Sequence, residues 1–158
     1  MEYRKYQISM GKTASKQNTL IVLPTSLGKT IIALISLAEV LRKNPQGKIL
    51  ILAPTRPLIY QHYKVFKEFL VKSIKCCLFS SNLSPIQRTY SLNDHSIFFS
   101  TPQIIKNDIG SNLYNLSGFG QIIIDETHKA RKKYAYTHVA QRYLEECTHP
   151  LILGLTAS

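Results

Sequence analysis

The octapeptide Leu23-Pro24-Thr25-Ser26-Leu27-Gly28-Lys29-Thr30 leaves a β-rich run, turns, and enters a helical stretch at Lys29. A strand, a tight turn and a helix start in that order make a loop able to cradle phosphate. Successive backbone N–H groups point inward, and the start of the helix adds partial positive charge, so Thr25, Ser26, Leu27 and Gly28 can line a di- or triphosphate. Gly28 admits the phosphates without a Cβ in the way. Lys29 supplies a point charge for the β- and γ-phosphates, and the Thr30 hydroxyl can join a magnesium shell. Leu23 stands where the general pattern G-x-x-x-x-G-K-[ST] has its first glycine. A Gly-Lys-Thr by itself is usually a solvated turn; the flanking elements select the phosphate reading.

A second group of chemistry-bearing residues follows about 95 positions later. Gln121-Ile122-Ile123-Ile124-Asp125-Glu126-Thr127-His128 places two carboxylates directly after an apolar strand. At the C-terminal end of a central strand, Asp125 can hold magnesium through water opposite Thr30, and Glu126 can polarise an attacking water. In open α/β sheets ligands bind at these carboxyl ends, which brings both segments to one crevice. His128 alone reads as a hydrogen-bonded structural histidine.

The elements that must position these groups alternate along the chain. Strands are expected at Leu20–Leu23, Ile49–Ala53, Cys76–Phe79, Ile97–Ser100, Ile122–Asp125 and Leu151–Leu155. Several are apolar on consecutive residues, the pattern of strands covered on both faces. Helices are expected at Lys29–Arg42, Pro57–Leu70, Pro85–Leu92, after Pro102, and at Tyr134–Cys147. The second of these places Leu58, His62, Val65 and Phe69 on one side, and the last has Tyr136, Val139, Ala140, Tyr143 and Leu144 at helical spacing. Strand alternating with helix means an α/β fold with a mainly parallel sheet wound by right-handed crossovers.

Composition narrows the function classes. The 158 residues include 20 Lys or Arg and 9 Asp or Glu, a net charge of +11, with 44% hydrophobic residues. One domain of this length can bury a sizeable core. Residues 1–75 hold 13 of the basic and 3 of the acidic side chains, an excess that suits a polyanion such as nucleic acid. The longest nearly apolar stretch, Ile31 to Ala38, is far below the ~20 residues of a membrane-spanning helix. No secretory leader opens the chain, so an intracellular protein is expected, cytoplasmic or at the nucleoid or nucleus. Cys76, Cys77 and Cys147 have no metal-binding spacing and read as buried thiols.

Taken together, these segments resemble the first RecA-like domain of a superfamily 2 DExH-box helicase, almost from end to end. The likeness implies a P-loop NTPase domain with helices on both faces of the sheet, using ATP and Mg²⁺. Arg4-Lys5-Tyr6-Gln7 resembles the adenine-recognition motif, which implies that Gln7 bonds the base edge and Arg4 stacks on it. Pro24 to Thr30 resembles motif I. Ala53-Pro54-Thr55-Arg56-Pro57-Leu58 with Gln61-His62 resembles motif Ia, and Ser100-Thr101-Pro102-Gln103 resembles motif Ib. Pro54, Thr55, Arg56, Gln61, Thr101, Pro102 and Gln103 are thereby implied to grip the sugar-phosphate backbone, a contact that positions without reading sequence. Asp125-Glu126-Thr127-His128 resembles the DExH box, implying catalytic places for Lys29, Asp125, Glu126 and His128. Thr156-Ala157-Ser158 resembles motif III, which couples nucleotide state to grip.

Within that superfamily the sequence is most similar to the Hef and FANCM type of fork-remodelling helicase. Asn107-Asp108 after Thr101-Pro102-Gln103, Tyr134-Ala135-Tyr136 after the DExH box, and the closing Leu153-Gly154-Leu155-Thr156-Ala157-Ser158 carry that likeness. The partner it implies is branched DNA, in preference to RNA. Double-stranded-RNA ATPases of the Dicer and RIG-I type share much of the pattern and are the alternative. A non-catalytic nucleic-acid-binding module is a third reading and a phosphate-loop kinase a fourth. The kinase lacks an evident arginine lid. Ser26 replaces a customary glycine, from which slower or weaker nucleotide use is expected. Arg131-Lys132-Lys133 replaces a neutral turn and reads as a solvated loop. The chain stops within motif III, so the second RecA-like domain with its arginine finger is expected elsewhere. This lobe alone should then be nearly inactive as an ATPase.

Overall fold

In a computed structural model, which describes residues 3–125 and 133–157, twelve elements alternate in sequence. They run α1 (Lys5–Ala14), β1 (Thr19–Val22), α2 (Ser26–Lys43), β2 (Lys48–Leu52), α3 (Arg56–Phe69), β3 (Cys76–Leu78), α4 (Pro85–Ser91), β4 (Ile97–Ser100), α5 (Pro102–Gly110), β5 (Phe119–Asp125), α6 (Lys133–Glu146) and β6 (Ile152–Thr156). The strands form one sheet in the order β1-β6-β5-β2-β4-β3, and every neighbouring pair is parallel.

Consecutive apolar residues in the strands are divided between two cores. Ile49, Ile51, Ile97, Phe99 and Ile123 face one core with Ile32, Leu37, Ile59 and Phe66 of α2 and α3. Leu50, Leu52, Phe98, Ile122 and Ile124 face the other with Ile105, Ile109, Val139 and Tyr143 of α5 and α6. This two-sided burial is what an alternating apolar–polar pattern could not satisfy. At the β1 edge the second face is bare, and Leu20 and Val22 are exposed. No helix among the described residues is long and apolar enough to cross a membrane.

Three elements depart from the sequence expectation. Helix α1 was not anticipated, because no Ser, Thr or Asp precedes it. Its N-cap is Arg4, whose N–H donates to Gln7 Oε1 at 2.9 Å, so Gln7 supplies half of a capping box. Helix α2 starts at Ser26, three residues before Lys29, because Thr25 caps it by accepting the Gly28 N–H at 3.2 Å. In α3 the deeply buried residues are Ile59 and Phe66, while Leu144 of α6 stands out to solvent.

Candidate functional site

The loops after β1, β2 and β4 and the ends of β5 and β6 share one edge of the sheet. The C-terminal ends of β1, β6 and β5 are in register, with Val22 beside Thr156 and Asp125 beside Leu155. Leu23 N–H donates to the Thr156 carbonyl at 3.2 Å, so the last residue of β6 adjoins the first of the phosphate loop. Beyond β5, the end of β2 leads into Pro54-Thr55-Arg56 and the end of β4 into Thr101-Pro102-Gln103. Ala53 N–H donates to the Ser100 carbonyl at 3.3 Å and ties those two loops together.

A cleft of about 160 Å³ opens at this edge, lined by Lys29, Thr30, Asp125, Gln61, His62 and apolar side chains including Leu27, Leu58 and Val65. Lys29, Thr30 and Asp125 are 5%, 8% and 5% exposed, although all three are polar. Buried charges persist where partners or ligands compensate them. The chain brings them together from two directions. Helix α2 delivers Lys29 and Thr30 in its first turns, and β5 delivers Asp125 as its last residue.

Asp125 is held from both sides. Its Oδ2 lies 2.5 Å from His62 Nε2 of α3, and its backbone carbonyl accepts the Tyr136 hydroxyl of α6 at 3.2 Å. The hydroxyl and carboxylate oxygens of Thr30 and Asp125 are hard donors that suit Mg²⁺, which retains water and phosphate ligands rather than needing a protein cage. The donor set therefore fits magnesium triphosphate, with Lys29 as its counter-charge. Magnesium, when bound, would neutralise charge developing on the phosphoryl oxygens.

The remaining candidates divide clearly. Gln7 is buried, and its Oε1 accepts the Arg4 N–H at the start of α1. The Thr55 hydroxyl caps α3 by accepting the Leu58 N–H at 3.4 Å, beside an exposed Arg56. Gln103 Nε2 donates to Asn107 Oδ1 at 3.0 Å on the exposed side of α5. Thr101 is buried at the start of α5, Pro102 is its first residue, and Ala157 is exposed. Gln61, grouped by sequence with the backbone-gripping residues, lines the cleft with Lys29 and Asp125. Glu126 and His128, with Arg131, Lys132 and Ser158, lie outside the described residues.

Sequence reasoning missed Tyr136 and the role of His62 as partners of Asp125. The signal for His62 was its place on the helix that follows β2, the strand paired with β5. A polar residue in an apolar helical stripe facing that strand's carboxylate was open to inspection.

A family model described as "Type III restriction enzyme, res subunit" matches residues 1–158. A protein of Methanocaldococcus jannaschii named as an ATP-dependent RNA helicase is 41% identical over 159 residues, covering 100% of this chain and 20% of that protein. The Drosophila melanogaster DEAD-box ATP-dependent DNA helicase Fancm is 33% identical, covering 98% of this chain and 11% of its own length. The crystal structure of the Pyrococcus furiosus Hef helicase domain matches with a TM-score of 0.89 at 37% identity, over 99% of this chain and 33% of that one. The chain thus spans a fifth or less of the length of these curated relatives.

Proposed function

The chain belongs to the family described as type III restriction enzyme, res subunit, with helicases of the Hef and FANCM type among its relatives, and on that footing we propose that it is the ATP-binding motor lobe of a helicase or translocase acting on branched DNA. The observation that carries this reading is the convergence of Lys29, Thr30 and Asp125 on one cleft beside the loops that begin α3 and α5.

In this reading Lys29 neutralises the β- and γ-phosphates, while Thr30 and Asp125 hold magnesium. The backbone of Thr25, Ser26, Leu27 and Gly28 cradles the phosphates, and Arg4 and Gln7 recognise the base. Glu126 orients the attacking water and His128 completes the DExH group. Pro54, Thr55, Arg56, Thr101, Pro102 and Gln103 grip a strand backbone through hydroxyl, N–H and guanidinium groups. Thr156, Ala157 and Ser158 transmit nucleotide state, a role supported by the bond from Leu23 N–H to the Thr156 carbonyl. A second RecA-like domain closes over the nucleotide, and the protein works inside the cell, at DNA. The name of the Methanocaldococcus relative supports a second reading, a double-stranded-RNA-directed ATPase.

Binding of a magnesium nucleotide to this chain and to Lys29→Ala tests the assignment. The substitution should abolish detectable binding while leaving the fold intact; equal affinities would leave a non-catalytic module. Turnover with forked DNA or double-stranded RNA, in a protein carrying both motor domains, separates the two substrates. The lobe alone should turn over slowly, since an arginine finger typically supplies about 10³–10⁵ in rate.

A further inference from the structure

We propose that His62 is a positioning residue that links helix α3 to the carboxylate of Asp125, so that nucleic acid on one side of α3 and nucleotide on the other alter each other's affinity through this contact. The proposal rests on the nucleotide and strand sites assigned above.

The geometry separates the two functions by one helix. At its N-terminus α3 presents the exposed Thr55 and Arg56 to a strand backbone. Two turns later the same helix places His62 Nε2 at 2.5 Å from Asp125 Oδ2, with the two side chains only 15% and 8% exposed. Water therefore competes weakly for this bond, and a hydrogen bond in such surroundings is stronger than at a surface.

His62 is also fixed to its helix. Its ring packs edge-on against Phe66 at 6.3 Å, and Phe66 packs against Phe99 of β4 at 5.6 Å. The imidazole thus follows α3 as a unit. Asp125 is held separately, through its backbone carbonyl, by Tyr136 of α6. Displacement of α3 against the sheet therefore turns the carboxylate without moving the backbone that carries it. With Oδ2 engaged by His62, Oδ1 is the oxygen left to take an ion or its water. A strand that seats α3 in this position aligns Asp125 for magnesium nucleotide, and the coupling is positive.

Coupling between two ligands is reciprocal and appears as a ratio of affinities. A merely structural histidine would change stability, or both affinities, and leave that ratio alone. The test measures the Kd of a fluorescent, non-hydrolysable magnesium nucleoside triphosphate for the full chain, with and without saturating forked DNA. The wild type should bind nucleotide about 5-fold or more tightly with DNA present, the lower end of typical allosteric coupling. His62→Ala should bring the ratio to about one while both ligands still bind. His62→Gln, whose amide can donate to Asp125, should restore most of it, and protects the test if the alanine variant unfolds. A wild-type ratio of one, or an unchanged ratio in His62→Ala, overturns the inference alone. Absence of nucleotide binding in the wild type overturns the motor assignment and this inference with it.

Discussion

The hydroxyl oxygen of Thr25 accepts the Gly28 N–H at 3.2 Å, and a Cβ added at Gly28 would stand 2.8 Å from that oxygen. One cap therefore forms α2 and also sets the clearance of the phosphate loop. Alanine at Gly28 gains helix propensity, about 1 kcal/mol, but loses the cap and narrows the cradle. We expect Gly28→Ala to leave the melting temperature nearly unchanged and to weaken magnesium-nucleotide binding at least tenfold. Thr25→Ala should do the reverse in stability, costing about 0.5–2 kcal/mol, while Thr25→Ser keeps the cap. Melting curves and nucleotide titrations on the three variants decide the matter. Unimpaired binding by Gly28→Ala would show that the loop has room to spare.

Helix α1 is seated on α2 by the absence of a side chain. A Cβ at Gly11 would lie 2.6 Å from Ile35 Cβ and 3.3 Å from the Ile32 carbonyl oxygen, neither of which is the free end of a long side chain. Gly11→Ala must push the two helices apart, and overpacking of this kind costs about 1–3 kcal/mol. Because α1 carries Gln7, the variant should also bind ATP less tightly relative to a nucleotide lacking the base contact. The expected signature is a lower denaturant midpoint with an unchanged m-value. A variant as stable as the wild type would mean that α1 is docked more loosely than this contact implies.

The same details explain what could be read from the sequence. The strands were legible because burial on both faces demands unbroken apolar runs such as Ile49–Leu52 and Ile122–Ile124. Their shared edge followed from the alternation of strand and helix. The convergence of Lys29, Thr30 and Asp125 on one cleft was legible for a different reason: each stands at the sheet's carboxyl edge, next to a strand end or in a helix's first turns. Helix α1 was not legible, because its cap comes from Gln7 folding back on Arg4 rather than from a residue that usually opens a helix. The α2 start was displaced because Thr25 looks like a loop residue until its hydroxyl is seen on Gly28. Gln61 was grouped by resemblance with the strand-gripping residues, and His62 was placed on one side of α3. Only the packing of α3 on the sheet, with Phe66 against Phe99 of β4, turns both towards the cleft that holds Lys29 and Asp125.

Away from the cleft, α5 is fixed by a buried ion pair. Arg88 reaches Asp108 with Nε at 2.7 Å and Nη2 at 2.6 Å, its Nη1 donates to the Leu83 carbonyl, and the Tyr114 hydroxyl donates to Asp108 as well. The carboxylate beside it holds the Arg88 guanidinium above its ordinary range, and burial with the same carboxylate pushes the Tyr114 hydroxyl up. Removing one partner strands the other charge. Asp108→Ala should therefore cost about 3–5 kcal/mol, against about 1 kcal/mol for Tyr114→Phe. Arg88→Met with Asp108→Leu should recover much of the loss, since well-packed apolar replacements avoid the desolvation cost. Chemical denaturation of the single and double variants measures this. Additive losses in the double variant would count against a buried, mutually dependent pair.

Cys76 offers a test of burial at the sheet's far edge. Desolvation raises its thiol from the ordinary value near 9 to about 11, with Lys67 opposing and Cys77 adding to the rise. Two units lower the thiolate fraction at pH 8 about 100-fold, and the thiolate is the reactive form. Alkylation of Cys76 in the folded chain, with Cys77 and Cys147 changed to serine, should run at least tenfold slower than after unfolding in urea. Its rate should continue to climb with pH towards about 11 rather than levelling near 9. The folded value lies above the unfolded one, so the associated stabilisation is complete below about pH 9. It is lost as pH rises through about 11, because the unfolded chain releases this proton first. A rate profile that levels near 9 would place Cys76 in water and remove β3 from the protected part of the sheet.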